Sequence, residues 1–206
     1  YTDSGATSLF SGNTSSGGGP NYAIFFEGET DRTSVLTVSG GGTLDMRDAI
    51  RALPGDYRLM ITVTDGAVWK LGGNSIFEAN GEVGFVKGTE FVVNNGTLDL
   101  YRNATITITK GRLVMLANGG AVTTLISRGN NTISAPTVTL NSGVTLGFDL
   151  TNATPGGTAS LTFTGTGTGP NEVVSVNPAN LNIDILALNG SGSFNLVKAN
   201  GIKDTP

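Results

Sequence analysis

The chain has 206 residues, a formal charge of −4 and only 14% charged residues, against roughly a quarter in ordinary soluble domains. It contains neither cysteine nor histidine, which excludes a disulfide framework, a thiolate metal centre and any Ser–His or Cys–His nucleophile. The small net charge, without a single run of Lys and Arg, gives nucleic acid no electrostatic footing. No apolar run is long enough for a membrane-spanning helix.

Glycine, at 31 residues, is about twice its usual share of ~7%, and threonine and asparagine are plentiful. Hydrophobic residues still make up 38%, with Val, Leu and Ile spread along the whole length, which argues against disorder. Turn formers interleaved with strand formers describe an all-β chain of many short strands.

Tyr1 opens a polar stretch with no basic or apolar leader pattern, and residues 1–206 read as a single β-solenoid fragment of a longer protein. Residues 11–20 (SGNTSSGGGP) read as a flexible loop. Residues 35–46 (VLTVSGGGTLDM) then set the repeating pattern of apolar strand, glycine corner and second strand.

Residues 45–58 (DMRDAIRALPGDYR) interrupt that pattern and are the one short helix candidate. Asp45 is placed to cap it and Pro54-Gly55 to stop it. Stacked coils leave no interior room for an insertion, so this segment is expected to protrude sideways. It gathers Arg47, Asp48, Arg51, Tyr57 and Arg58, and Arg and Tyr are enriched where interfaces carry energy. These five are the candidate ligand-binding residues. The bland alternative is that Met46, Ile50 and Leu53 dock the segment as a cap on the solenoid.

The pattern returns at 61–71 (ITVTDGAVWKL), 91–100 (FVVNNGTLDL), 106–115 (ITITKGRLVM) and 138–146 (VTLNSGVTL). The five corner glycines are Gly42, Gly66, Gly96, Gly111 and Gly143. Asp-Gly and Asn-Gly between alternating runs are also a hairpin signature. However, residues 95–126 continue as strand, bend and strand past the length of a hairpin, and most gaps approach one solenoid turn. About nine coils at roughly 4.8 Å each are expected. Residues 164–170 (TGTGTGP) read as another loop, after which 181–185 (LNIDI) and 194–197 (FNLV) resume alternation.

The search for chemistry returns little. Lys70, Lys87, Lys110, Lys198 and Lys203 do not fall in a Ser-x-x-Lys arrangement. Carboxylate pairs suited to glycoside hydrolysis are Asp45 with Asp48, Asp65 with Asp99 if their rungs stack, and Glu27 with Glu29. Asp at a turn more often bonds its own backbone. Residues 40–45 (GGGTLD) miss the calcium nonapeptide pattern and occur once, whereas that site needs tandem copies. Residues 165–169 do not continue into a phosphate-binding Gly-Lys-Ser/Thr. The expectation is no catalytic residue, no metal and no cofactor.

The rungs SGGGTLDM (39–46) and NGTLDL (95–100), with GSFNLV at 192–197, resemble the passenger domains of bacterial autotransporters. The nearest style is that of pertactin-related adhesins and self-associating autotransporters, over roughly residues 30–200. The resemblance implies a right-handed parallel β-helix, carried to the bacterial cell surface and held there by a C-terminal outer-membrane barrel that these residues do not include. It also implies a non-catalytic adhesive or aggregating module whose partner is a host surface protein, a glycan or another copy of itself. No nucleic-acid partner and no membrane insertion by this segment are expected. Two readings compete: a carbohydrate-active β-helix enzyme or tailspike-like component, and a passive stalk spacer.

Overall fold

A computed structural model describes residues 7–9, 33–47, 51–52, 58–77, 88–165, 173–176, 181–199 and 202–203. Strands β1 (Thr7–Leu9), β2 (Thr33–Val38), β3 (Thr43–Met46) and β4 (Arg51–Ala52) come first. Longer strands follow as β5 (Arg58–Val63), β6 (Val68–Phe77), β7 (Thr89–Asn94) and β8 (Thr97–Ile108). The next two turns are β9 (Gly111–Leu116), β10 (Thr124–Arg128), β11 (Asn131–Ser134), then β12 (Thr137–Leu140), β13 (Thr145–Leu150), β14 (Leu161–Thr164). The last strands are β15 (Val173–Val176), β16 (Asn182–Leu188), β17 (Val197–Ala199) and β18 (Ile202–Lys203).

Every described pairing is parallel and joins a strand to its counterpart one turn away. The chain is therefore a parallel β-helix, and the hairpin alternative falls. The first face stacks β2, β5, β7, β9, β12, β15 and β18. The second stacks β1, β3, the first half of β6, the first half of β8, β10, β13 and β16. The third stacks β4, the second halves of β6 and β8, then β11, β14 and β17.

First-face strands begin at residues 33, 58, 89, 111, 137, 173 and 202, so one turn takes from 22 residues (89 to 111) to 36 (137 to 173). Turns this long mean that seven first-face rungs, fewer than the nine coils expected, account for the described chain. Four of the five sequence repeats cross from first face to second. The repeat at 106–115 instead crosses from third face to first, which is why Gly111 broke the spacing of the other corner glycines. Gly111 has φ +124, and a Cβ there would sit 1.9 Å from the Thr89 carbonyl oxygen, so this corner admits only glycine.

Inward residues align in columns because parallel strands keep register. One runs Leu44, Trp69, Leu98, Leu125, Leu146. Opposite it run Ile61, Phe91, Leu113 and Val138. Trp69, Phe77 and Phe91, one from each face, meet at centroid distances of 5.5–6.1 Å and tie the three walls together. Outward positions alternate with these, and threonine is the commonest residue there, matching the period-two pattern of the sequence.

The helix expected within 45–58 is not found at its described residues. Asp45 and Met46 end β3, Arg51 and Ala52 form β4 against Ile76 and Phe77, and Arg58 opens β5. Parallel pairing to the next rung prevails over local helix signals there. Residues 48–50 and 53–57 lie outside the described residues, as do residues 11–20 and 166–170.

Between the second and third faces the core admits a polar knot. Asn131 is fully buried; its Oδ1 accepts from the Ala104 N–H at 2.7 Å, and its Nδ2 donates to Ser127 Oγ at 2.8 Å. Ser127 Oγ donates in turn to the Ser160 carbonyl at 2.6 Å, so the knot bridges three successive rungs. Removing Asn131 strands the Ala104 N–H away from water. Asn131→Ala is expected to cost about 1–3 kcal/mol in denaturant unfolding. An unchanged midpoint would show that the knot does not hold the bend.

Candidate functional site

The second face ends in a column that is not part of the apolar core. Successive rungs place Gly72, Tyr101, Arg128 and Asp149 in register, with Arg47 beside Gly72. Two residues earlier on the same outward side the register runs Asp45, Lys70, Asp99. The i, i+2 alternation of a strand therefore sets each aspartate beside the cationic or aromatic column.

Asp99 is the hub. Its Oδ1 accepts from Arg128 Nε at 2.8 Å and its Oδ2 from the Tyr101 hydroxyl at 3.0 Å, while only 3% of the residue is exposed. Arg128 Nη1 also lies 3.5 Å from Asp149 Oδ2. Asp45, equally buried, is held at 2.8 Å by Arg47 Nε. The guanidinium carbons of Arg47 and Arg128 both lie 5.2 Å from the Tyr101 ring centre, one from two rungs before and one from the rung after. Each distance is within reach of a cation–π contact.

Gly72 makes the stack feasible. A Cβ there would lie 1.9 Å from the Arg47 carbonyl oxygen, so any side chain would drive the Arg47 backbone off the rung. With no side chain between them, Arg47 reaches across the rung of Gly72 to Tyr101.

Burial, then the neighbouring Asp99 carboxylate, push the Tyr101 phenol above its ordinary value of 10.0. The hydrogen bond to Asp99 likewise raises Arg128. Asp149 is lowered, chiefly because the Thr151 hydroxyl donates to it, with Arg128 assisting. These shifts favour neutral Tyr101, cationic Arg128 and anionic Asp149.

Of the five candidate residues from the sequence, the structure brings only Arg47 into a described side-chain cluster. Its described partners include Asp45, two residues earlier, and the Tyr101 ring, neither of them among the five. Arg51 lies in a third-face strand and Arg58 begins a first-face strand, so the backbone distributes Arg47, Arg51 and Arg58 over three faces. Asp48 and Tyr57 lie outside the described residues, as do Glu27 and Glu29.

The carboxylate pair of Asp65 and Asp99 does not form. Asp65 sits at the first corner, exposed and at φ 55, while the register mate of Asp99 is Lys70. Sequence reading missed Tyr101, Arg128 and Asp149. Their one signal was an Arg or Tyr at an outward strand position, which acquires meaning only when turn lengths of 27 and 21 residues (101 to 128, 128 to 149) are known.

Among the described residues, no group of three His, Cys, Asp or Glu is arranged to hold a metal ion, and no helix is long and apolar enough to cross a membrane. The chain matches no family model, no curated protein and no solved structure.

The Tyr101 environment sets a measurable pH response. Because its folded pKa is raised, its contribution to stability is present below the unfolded phenol value and is lost as pH climbs through the folded one. Phenolate absorbance of the native protein minus that of Tyr101→Phe is expected to show a step above pH 10.0. A step at or below that value would contradict the buried, Asp99-bonded geometry.

Proposed function

We propose that this protein is a non-catalytic binding module of a bacterial surface protein, serving adhesion or self-association, with the Arg47–Tyr101–Arg128 ladder as part of its recognition surface. One observation carries the reading. The described side chains best suited to chemistry, Asp45, Asp99 and Asp149, are each bonded to an arginine, a tyrosine or a threonine, leaving a contiguous arginine–tyrosine face on a rigid sheet. Such a face suits recognition: the guanidiniums and ring are pre-positioned, so little side-chain entropy remains to be lost on binding.

The partner is a glycan or protein of a neighbouring cell surface, or another copy of this chain. Stacked guanidinium and phenol groups suit carboxylates and the planar or hydroxyl-rich faces of such ligands. The autotransporter likeness of the rungs at 39–46 and 95–100 supports an extracellular place, with anchoring by an outer-membrane barrel supplied beyond residue 206.

The test displays the chain on a non-adherent bacterium and scores cell settling and attachment to host cells. Arg47→Ala with Tyr101→Ser is expected to reduce attachment at least tenfold in a protein that is less stable but still folded at the assay temperature; Arg51→Ala, Tyr57→Ser and Arg58→Ala together form a second arm. Full attachment by both stably folded variants would remove the site and put the passive stalk reading ahead. Turnover of a polysaccharide that vanishes in Asp45→Asn or Asp99→Asn would instead favour the carbohydrate-active reading.

A further inference from the structure

The bend between the second and third faces carries a regularity of its own. Asn103 lies between the two halves of β8, Asn130 between β10 and β11, and Asn152 between β13 and β14. They follow the register mates Tyr101, Arg128 and Asp149 by two, two and three residues (101 to 103, 128 to 130, 149 to 152). Each opens an Asn-x-Thr triplet, ending at Thr105, Thr132 and Thr154. The following rung repeats the triplet after β16, as Asn189-Gly190-Ser191. The whole chain has six Asn-x-Ser/Thr triplets, the other two opening at Asn13 and Asn95, so four of the six fall at one bend on consecutive rungs.

The fold gives little reason for asparagine there. Asn130 and Asn152 do not adopt a positive φ, and among the described residues their side chains make no hydrogen bond. Asparagines outside such triplets are tied in: Asn131, Asn182 and Asn195 donate their Nδ2 to the fold at 2.8, 3.4 and 2.7 Å. Asn103, at φ 61, does serve the turn, but its Oδ1 is the atom engaged, accepting from the Asn130 N–H at 3.1 Å. Asn103, Asn130 and Asn152 are all exposed. Asn95 is the contrast. It holds a corner at φ 56, its N–H is bonded to Thr123, and the next residue, Gly96, is buried against Val63 and Ala67.

We propose that Asn103, Asn130 and Asn152 are acceptors for asparagine-linked sugar, which lines this bend of the solenoid. An exposed Asn-x-Ser/Thr triplet is the substrate of that chemistry. In each transfer the amide Nδ2 bonds to C1 of the sugar and gives up a proton to the transferring enzyme. The C1–O bond of the donor breaks, and its diphosphate leaves with the electron pair. Adjacent rungs stand about 4.8 Å apart, close to the thickness of one sugar ring, so Asn103 and Asn130 accommodate single sugars side by side and not branched chains. The donor class is therefore a nucleoside-diphosphate monosaccharide. Sugars at this bend and recognition by the arginine–tyrosine ladder stand or fall separately, because the ladder variants leave all three triplets intact.

The chain purified from the cells that make it is digested, and mass spectrometry with fragmentation assigns any added mass to its residue. Asn103, Asn130 and Asn152 are each expected to carry one sugar residue, and Asn95 and Asn131 none. Thr105→Val and Thr132→Val keep a β-branched strand former and the asparagine while removing the hydroxyl of the triplet. Each is expected to lose the added mass at Asn103 or Asn130 respectively, with the thermal transition retained. Unmodified asparagine at all three positions, sugar on the threonines instead, branched chains on both Asn103 and Asn130, or added mass that survives in the two valine variants would each overturn the proposal.

Discussion

Parallel register between rungs is the constraint on which the rest of this molecule depends. A single turn of this chain encloses no core of its own; its inward Leu, Ile, Val and Phe become buried only because the turns before and after it repeat the same positions. Strand lengths, corner residues and the outer ladder all follow from keeping those columns aligned. Where the loop between strands lengthens, as from 151 to 160, the chain leaves the wall and returns at the same register. Turn length is therefore free to vary while the stacked positions are not.

The corners show how tightly the backbone is held. Asp65 and Asn95 adopt φ 55 and 56 at equivalent places of consecutive turns, and Gly66 donates its N–H to the Asn95 carbonyl at 2.6 Å. One turn later, Thr123 replaces the Asn-Gly pair, and its hydroxyl accepts from the Asn95 N–H at 2.8 Å. A side-chain oxygen thus does in one rung what corner backbone does in its neighbours. The same economy appears inside, where Asn131 supplies bonds that the bend between second and third faces cannot make for itself.

Much of this was legible in the sequence. Period-two alternation up to Asp65-Gly66, Asn95-Gly96 and Ser142-Gly143 located three corners of one kind, and their stacking distinguished a coil from a meander. The ladder was not legible, because Arg47, Tyr101, Arg128 and Asp149 become neighbours only through turns of unequal length. Arg47 was singled out for its place among Arg51, Tyr57 and Arg58, yet its described ring partner lies 54 positions away, from 47 to 101. Local composition signalled an interface residue type; register decided which residues share the interface. The helix expected within 45–58 failed at Arg51 and Ala52 for the same reason, since an available strand edge at Ile76 and Phe77 outweighs one turn of local helix preference.

Because the native chain has no cysteine, register is open to direct measurement by paired substitutions. Thr97 and Thr124 are register mates on adjacent rungs of the second face, at a separation that suits a disulfide. The Thr97→Cys, Thr124→Cys protein is expected to close its disulfide readily on mild oxidation and to keep its unfolding transition. Thr97→Cys with Ile126→Cys, on the same side but two positions out of register, is expected to remain reduced. Faster closure of the offset pair, or failure of the in-register pair in a folded protein, would contradict the stacking from which the fold and its surface ladder both derive.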